Sequence, residues 1–395
     1  MNYKVKFVKS KISLFITLLS IGLTGCSSKV NYLETSTKQY GQLIEFVGDS
    51  LGHPRTLNDD GSTKLVNTDD WTSGFWPGSL WYLYELTDDE KWRNEAQRFT
   101  VNMAEQQFKN INHDIGFKMN CSYGNGYRLT QNPDYVDVLI QSAKTLALRF
   151  DPNVGCIRSW DFNQHIWGYP VIIDNMMNLE LLFKATKLSG DSIYYHIAVS
   201  HAETTLKNHF RPDNSSYHVV DYNQETGAVW GNFTHQGFSR SSAWARGQAW
   251  GLYGFTMTYR ETGDKRFLDQ AKKIADFILN HPNLPNDLVP YWDFNAGNIP
   301  EEPRDVSAAA IICSALFELS EHLGDEGNPY LKKAQEQLHN LSNRTYLAKV
   351  GSNGNFLLKH AVGSIPHGAE VDKPLNYADY YFLEAQVRNK NFTFN

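Results

Sequence analysis

Asp89-Glu90-Lys91-Trp92-Arg93-Asn94-Glu95-Ala96 carries the spacing on which the fold turns: an Asp, an aromatic three residues on and an Ala seven on. It returns at Asp191, Tyr194 and Ala198, and at Asp264, Phe267 and Ala271. Asp325, Tyr330 and Ala334 repeat it with two extra residues. Aspartate is a good helix N-cap, and the aromatic and the Ala fall on one face of the helix it opens. Each copy follows an apolar helical run: Leu80 to Leu86, Leu179 to Leu188, Trp250 to Tyr259 and Ala308 to Leu319. The unit is therefore helix, tight turn, helix. The pattern predicts further helices over Thr35 to Leu51, Tyr135 to Phe150 and Tyr377 to Arg388.

Helical hairpins that recur through a chain must stack on one another to bury their apolar faces. The copies here are unevenly spaced, with long loops rich in Gly, Asn and Trp between them. That pattern favours a closed, all-α, α/α barrel over an open array, with functional loops at one end. Strand signals are few, chiefly Tyr217 to Tyr222 and Asn355 to Lys359. No Pro- or Ser-rich linker divides the chain, so residues 35–395 read as one domain.

A net charge of -6 argues against nucleic acid as a partner. Ahead of the domain stands a targeting segment. Lys4, Lys6, Lys9 and Lys11 precede an apolar run, Ile12 to Leu23, that is too short to span a bilayer. Residues 1–25 therefore read as a signal peptide. Leu23-Thr24-Gly25-Cys26 looks like a bacterial lipobox, with Cys26 lipidated and residues 26–34 as a tether. A protein anchored at the outer membrane and facing the periplasm is the expectation. Cys121, Cys156 and Cys313 show no metal spacing and no disulfide framework.

Two acids stand in unusual company. Asp114 lies in Asn112-His113-Asp114-Ile115-Gly116-Phe117, and Asp174 in Val171-Ile172-Ile173-Asp174-Asn175-Met176. An apolar setting raises a carboxyl pKa toward neutrality, where the group both gives and takes a proton. Two further segments stand out: Asp70-Trp71 to Gly78, and Trp244-Ala245-Arg246-Gly247-Gln248-Ala249-Trp250. All four precede or begin a helix, so they are placed to converge at one end of a barrel. Each residue also has a structural reading. Asp174 could cap its helix and Asp114 could serve a turn closed by Gly116. His113 and His235 could be hydrogen-bonded structural histidines. Arg246 could pair with a helix-end carboxylate, and Trp71 and Trp250 could be core. An Arg, a Gln and two Trp within seven residues are expensive to bury without a ligand or a network.

The chain resembles the unsaturated glucuronyl hydrolases of glycoside hydrolase family 88, from about residue 68 to residue 388. The matching segments include His113-Asp114-Ile115-Gly116-Phe117, Ser216-Tyr217-His218, Thr234-His235-Gln236-Gly237, Arg246-Gly247-Gln248-Ala249-Trp250, Tyr291-Trp292-Asp293-Phe294 and Asp379-Tyr380-Tyr381-Phe382. The resemblance implies an (α/α)6 barrel of six hairpins in a toroid. It also implies removal of a terminal 4,5-unsaturated glucuronic acid from lyase-released oligosaccharides, by hydration of the C4=C5 bond. Asp174 would protonate C4 and deprotonate the attacking water. Asp114 would be the second essential carboxylate. Trp71 and Trp250 would stack on the sugar. His113, Trp160, His218, His235, Arg246 and Gln248 would contact it, with Arg246 suited to the uronate. No metal or organic cofactor is implied. A monomer or weak homodimer is expected.

The segment His360 to His367, with Glu370 to Leu375, departs from better-known members. It would border the leaving-sugar subsite, which keeps glycosaminoglycan and ulvan fragments both open. The alternatives are an unsaturated rhamnogalacturonyl hydrolase on pectin fragments and a non-catalytic glycan-binding lipoprotein.

Overall fold

The computed structural model describes residues 1–2 and 32–393. The lipobox and Cys26 lie outside them. In chain order the helices are α1 (Tyr32–Val47), α2 (Phe75–Thr87), α3 (Glu90–Asn102), α4 (Ile115–Met119), α5 (Asn125–Thr130), α6 (Asp134–Ala147), α7 (Leu179–Ser189), α8 (Ile193–Asn208), α9 (Ala245–Thr262), α10 (Lys265–Asn280), α11 (Val306–Leu323), α12 (Asn328–Leu341) and α13 (Asn376–Thr393). A π-helical turn, Asn120–Gly124, joins α4 to α5.

An inner ring closes from α2 through the 115–130 segment, α7, α9, α11 and α13 back to α2. The helices α3, α6, α8, α10 and α12 pack outside it. The sixth hairpin joins the two ends of the domain: Tyr40 of α1 donates to Asp379 of α13 across 3.4 Å. This is the (α/α)6 barrel. The inner helix α11 is buried on every side, from Val306 to Ser320. Outer helices bury one stripe, as in α10 with Phe267, Ala271, Ile274 and Ile278.

The repeat is visible in these outer helices. Asp89 and Asp264 cap α3 and α10 by accepting from Lys91 N and Arg266 N. Asp191 accepts from Ile193 N at the start of α8. Asp325 sits instead in a 3-10 turn, Gly324–Gly327, which absorbs its two extra residues. Trp92 and Ala96, Tyr194 and Ala198, Phe267 and Ala271, and Tyr330 and Ala334 are all buried.

Three expectations need correction. The first helix begins at Tyr32, inside the stretch read as tether. Asn355 to Lys359 is not a strand and makes one isolated bridge, Leu347 to Leu358, because Asp379 accepts from Leu357 N and Leu358 N. Small sheets occur where no strand signal was read: His53–Leu57 with Thr63–Val66, and Ala361–Ser364 with Ala369–Lys373. Their residues join barrel loops rather than a sheet core. The Tyr217 to Tyr222 signal does yield a strand, Val219–Tyr222, set between Pro170–Ile172 and Val229–Phe233. Cys121, Cys156 and Cys313 are free and buried.

Candidate active site

A cavity of about 270 Å³ opens where the inner helices begin. Trp71 precedes α2, Asp114 precedes α4, Asp174 lies in the 3-10 turn Ile173–Asn178 ahead of α7, and Arg246 opens α9. All four line it. Helix N-termini carry partial positive charge, so their convergence suits an anionic sugar.

The two acids are brought together by close packing. A Cβ on Gly116 would lie 2.5 Å from Asn178, so only glycine lets α4 approach the 3-10 turn. Asn178 Oδ1 then accepts from Phe117 N. Pairing of Ile172 with Val219 sets His218 beside Asp174, with Ile173 N donating to the His218 carbonyl.

Each acid faces a histidine whose tautomer is dictated by its other nitrogen. His218 Nδ1 accepts from His235 N at 3.0 Å and Gln236 N at 3.1 Å. The Nε2 therefore carries the proton and points at Asp174 Oδ2, 3.8 Å away. Burial holds the His218 pKa well below its ordinary value, so the ring stays neutral. His113 Nδ1 lies 3.3 Å from Asn178 Nδ2, and its Nε2 lies 3.4 Å from Asp114 Oδ1. Burial lowers the His113 pKa too.

Burial pushes the Asp174 carboxyl up to about 7; Arg246 opposes the rise and Asp114 adds to it. Burial raises Asp379 to about 7 as well, but both its oxygens are taken by Leu357 N, Leu358 N and Tyr40. Asp174 Oδ2 and His218 Nε2 have no hydrogen-bond partner. A buried polar atom left unpaired is costly, and Asp174 lines the cavity. Asp174 is thus set for proton transfer, whereas Asp379 is a structural clamp.

Trp71 is held by Asp70, which accepts from Thr72 and from Arg55 at 2.6 Å. Trp160 and His235 also line the cavity, ring centroids 5.1 Å apart, with Phe162 stacked on Trp160 at 4.9 Å.

Two sequence readings, Gln248 and Trp250, fail here. Gln248 is buried and spends its amide on Ser216 N, Ser216 O and Trp244 O, so it clamps a loop and contacts no cavity. Trp250 is fully buried between Phe117 and Tyr381, one layer behind the wall. Arg246 lines the cavity with both Nη atoms engaged and its Nε without a hydrogen bond among the described residues. Its guanidinium donates to Asp305 Oδ2 at 3.1 Å, to Val362 O and to Gly363 O. Asp305 caps α11, so Arg246 pairs with a helix-end carboxylate. The cavity residues not singled out as sugar contacts are Phe117, Phe162, Ile172, Gln236, Ser364, His367 and Ala369. Ser364 Oγ lies 2.7 Å from His367 Nδ1, and the His367 ring lies 4.3 Å from that of His235. Phe162, two residues after Trp160, was the available signal; Ser364 and His367 lay inside the divergent segment.

The sequence profile of Glycosyl Hydrolase Family 88 matches residues 53–394. An unsaturated glucuronyl hydrolase of Formosa agariphila is 53% identical over 357 residues, covering 89% of this chain and 88% of that protein. The crystal structure of an unsaturated glucuronyl hydrolase specific for heparin superposes with a TM-score of 0.90 at 48% identity, covering 92% of this chain and 97% of that one. An aspartate-to-asparagine mutant of the Streptococcus agalactiae unsaturated glucuronyl hydrolase, solved with dGlcA-GalNAc6S, gives a TM-score of 0.77 at 30% identity, covering 91% and 90%.

Proposed function

The chain belongs to glycosyl hydrolase family 88 as an unsaturated glucuronyl hydrolase, and from that premise we propose that it removes the terminal 4,5-unsaturated glucuronate from glycosaminoglycan-derived oligosaccharides by hydrating the C4=C5 bond. The observation that carries the chemistry is Asp174, a buried carboxyl near pKa 7 that lines the cavity and has an unpartnered oxygen beside His218. Protonated Asp174 gives its proton to C4. The π electrons form the new C–H bond, and positive charge develops on C5 and the ring oxygen. Water adds to C5 and its proton returns to Asp174. The hemiketal at C5 opens to a ketone, and the exposed hemiacetal at C1 releases the leaving sugar. His218 directs its N–H toward the Asp174 carboxylate produced in the first step. Asp114 and His113 hold sugar hydroxyls, and Trp71 faces Trp160 and Phe162 across the ring. The helix N-termini meet the uronate charge.

Ser364, His367 and His235 form the leaving-sugar wall. They offer hydrogen-bonding groups, and Ala369 beside them is apolar. This wall favours a hydroxyl-rich leaving sugar. Ulvan fragments are a second acceptable class, because the wall contains nothing particular to an amino sugar. An absorbance screen over lyase-treated heparin, chondroitin, ulvan and pectin tests the reading. Loss of the unsaturated-uronate absorbance with glycosaminoglycan fragments is expected; loss with pectin fragments alone would replace it by the rhamnogalacturonyl reading, and binding without any decay by the lectin reading.

We also propose lipidation at Cys26, motivated by the lipobox. Cys26→Ser is expected to move the protein from the membrane fraction to the soluble periplasm; unchanged fractionation would refute the anchor.

A further inference from the structure

Trp230 is 68% exposed, the largest such fraction of any aromatic side chain among residues 32–393. A tryptophan presented to solvent in this way is unusual for a core-building residue. Its presentation is built. In the pairing of Val219–Tyr222 with Val229–Phe233, Asp221 faces Gly231 and Tyr222 faces Val229, which leaves Trp230 as the extra residue of a bulge. Bulges re-aim side chains and gather beside active sites. The indole then rests on Gly168, where a Cβ would come within 3.0 Å of it. Gly168 is itself pinned, since Asp221 accepts from Gly168 N and Tyr169 N. The ring is thus exposed yet seated on a rigid surface.

That seat continues the cavity wall. Trp167, the neighbour of Gly168, packs on Trp160, Phe162 and His235 at 5.4, 6.2 and 5.6 Å. Along the same strand, the Phe233 ring crosses Gly231, and Arg240 lies 4.4 Å over it. Arg240 is exposed and its guanidinium has no hydrogen bond or ion pair among the described residues. The aromatic path therefore runs from the cavity out to Trp230, with a free cation beside it.

We propose that Trp230 forms a distal sugar subsite on the leaving side, stacking a pyranose ring of an oligosaccharide longer than a disaccharide, with Arg240 meeting an acidic group of that chain. Aromatic faces take sugar rings by the same apolar contact that packs rings together, and a seated indole loses little freedom on binding. The subsite rests on the function proposed above. It predicts that the enzyme distinguishes its substrates by length.

The test compares kcat/KM for an unsaturated disaccharide and an unsaturated hexasaccharide of the same polysaccharide. Trp230→Ala is expected to lower the hexasaccharide value about tenfold through KM, a change of ~1.4 kcal/mol, and to leave the disaccharide value unchanged. Trp230→Phe should restore most of the loss, and Arg240→Gln should flatten the salt dependence on the hexasaccharide alone. Equal losses on both substrates, or none on either, would overturn the subsite. So would a Trp230→Ala variant whose only change is in sedimentation, which would make the indole a self-association contact. If wild-type protein turns over no unsaturated substrate, the functional reading fails by itself. The subsite then stands or falls on quenching of intrinsic fluorescence by a saturated hexasaccharide, present in wild type and absent in Trp230→Ala if it is right.

Discussion

Asp174→Asn is expected to lower turnover about 10²–10⁴-fold and, at the same time, to make the protein more stable at pH 8. The amide keeps the volume of the carboxyl but has no proton to give to C4. The stability gain follows from linkage. An unfolded aspartate has a pKa of about 3.9, whereas burial holds Asp174 up to about 7 in the folded protein. The folded state therefore binds the proton more tightly. Between those two values, stability falls as pH rises, and above pH 7 the folded state bears the full penalty of a buried charge, on the order of 3–4 kcal/mol. Asparagine removes that penalty. Melting curves of wild type and variant should coincide near pH 4 and separate at pH 8, with the variant higher. Activity carries the matching signature. Because protonated Asp174 starts the reaction, wild-type kcat/KM should decline above about pH 7, approaching tenfold per pH unit. A variant that keeps more than a few per cent of the rate, or one destabilised at pH 8, would remove Asp174 from its role.

Arg246→Ala should be among the most destabilising single changes in the barrel, and its main effect should be on folding rather than on substrate affinity. Arg246 and Asp305 are buried together, with side-chain exposures of 2% and 0%. Truncating one partner leaves an uncompensated buried charge, which typically costs about 3–5 kcal/mol. Val362 and Gly363 also lose the donors that fasten the hairpin carrying Ser364 and His367 to α9. The same cation opposes the rise in the Asp174 pKa. Its loss should therefore move the alkaline limb of the pH profile upward in whatever activity remains. The paired variant Arg246→Met with Asp305→Asn should recover much of the stability, since no charge is then stranded. If Arg246→Ala melted like wild type and only raised KM, the guanidinium would be holding the substrate uronate after all.

The contrast between Arg246 and Asp174 shows where sequence reading reaches its end. Both were singled out from polar residues in apolar company. For Asp174 the environment reading was enough, because burial acts on a carboxyl whatever surrounds it later. For Arg246 the outcome depended on Asp305 and on two carbonyls of residues 362 and 363, more than fifty residues distant in the chain. Trp250 and Gln248 follow the same logic. Trp250 shares the face of α9 that carries Arg246 but lies one turn deeper, between Phe117 and Tyr381, and Gln248 lies against Ser216. Spacing within one helix does not tell which face a neighbour will cover.

By itself, the sequence determined the hairpin repeat, its capping aspartates and its buried aromatic and Ala pairs, because these depend on contacts within three to seven residues. It also determined that loops ahead of the inner helices would meet at one end, since a closed ring of hairpins allows no other arrangement. Only the tertiary structure decided the rest. Closure joined α1 to α13 across the whole domain, Gly116 let α4 reach Asn178, and strand pairing set His218 against Asp174. The 361–373 hairpin was pulled over the cavity by a buried arginine. Each of these is a long-range contact, settled by packing and by the need to satisfy buried polar groups, and neither leaves a mark in local spacing.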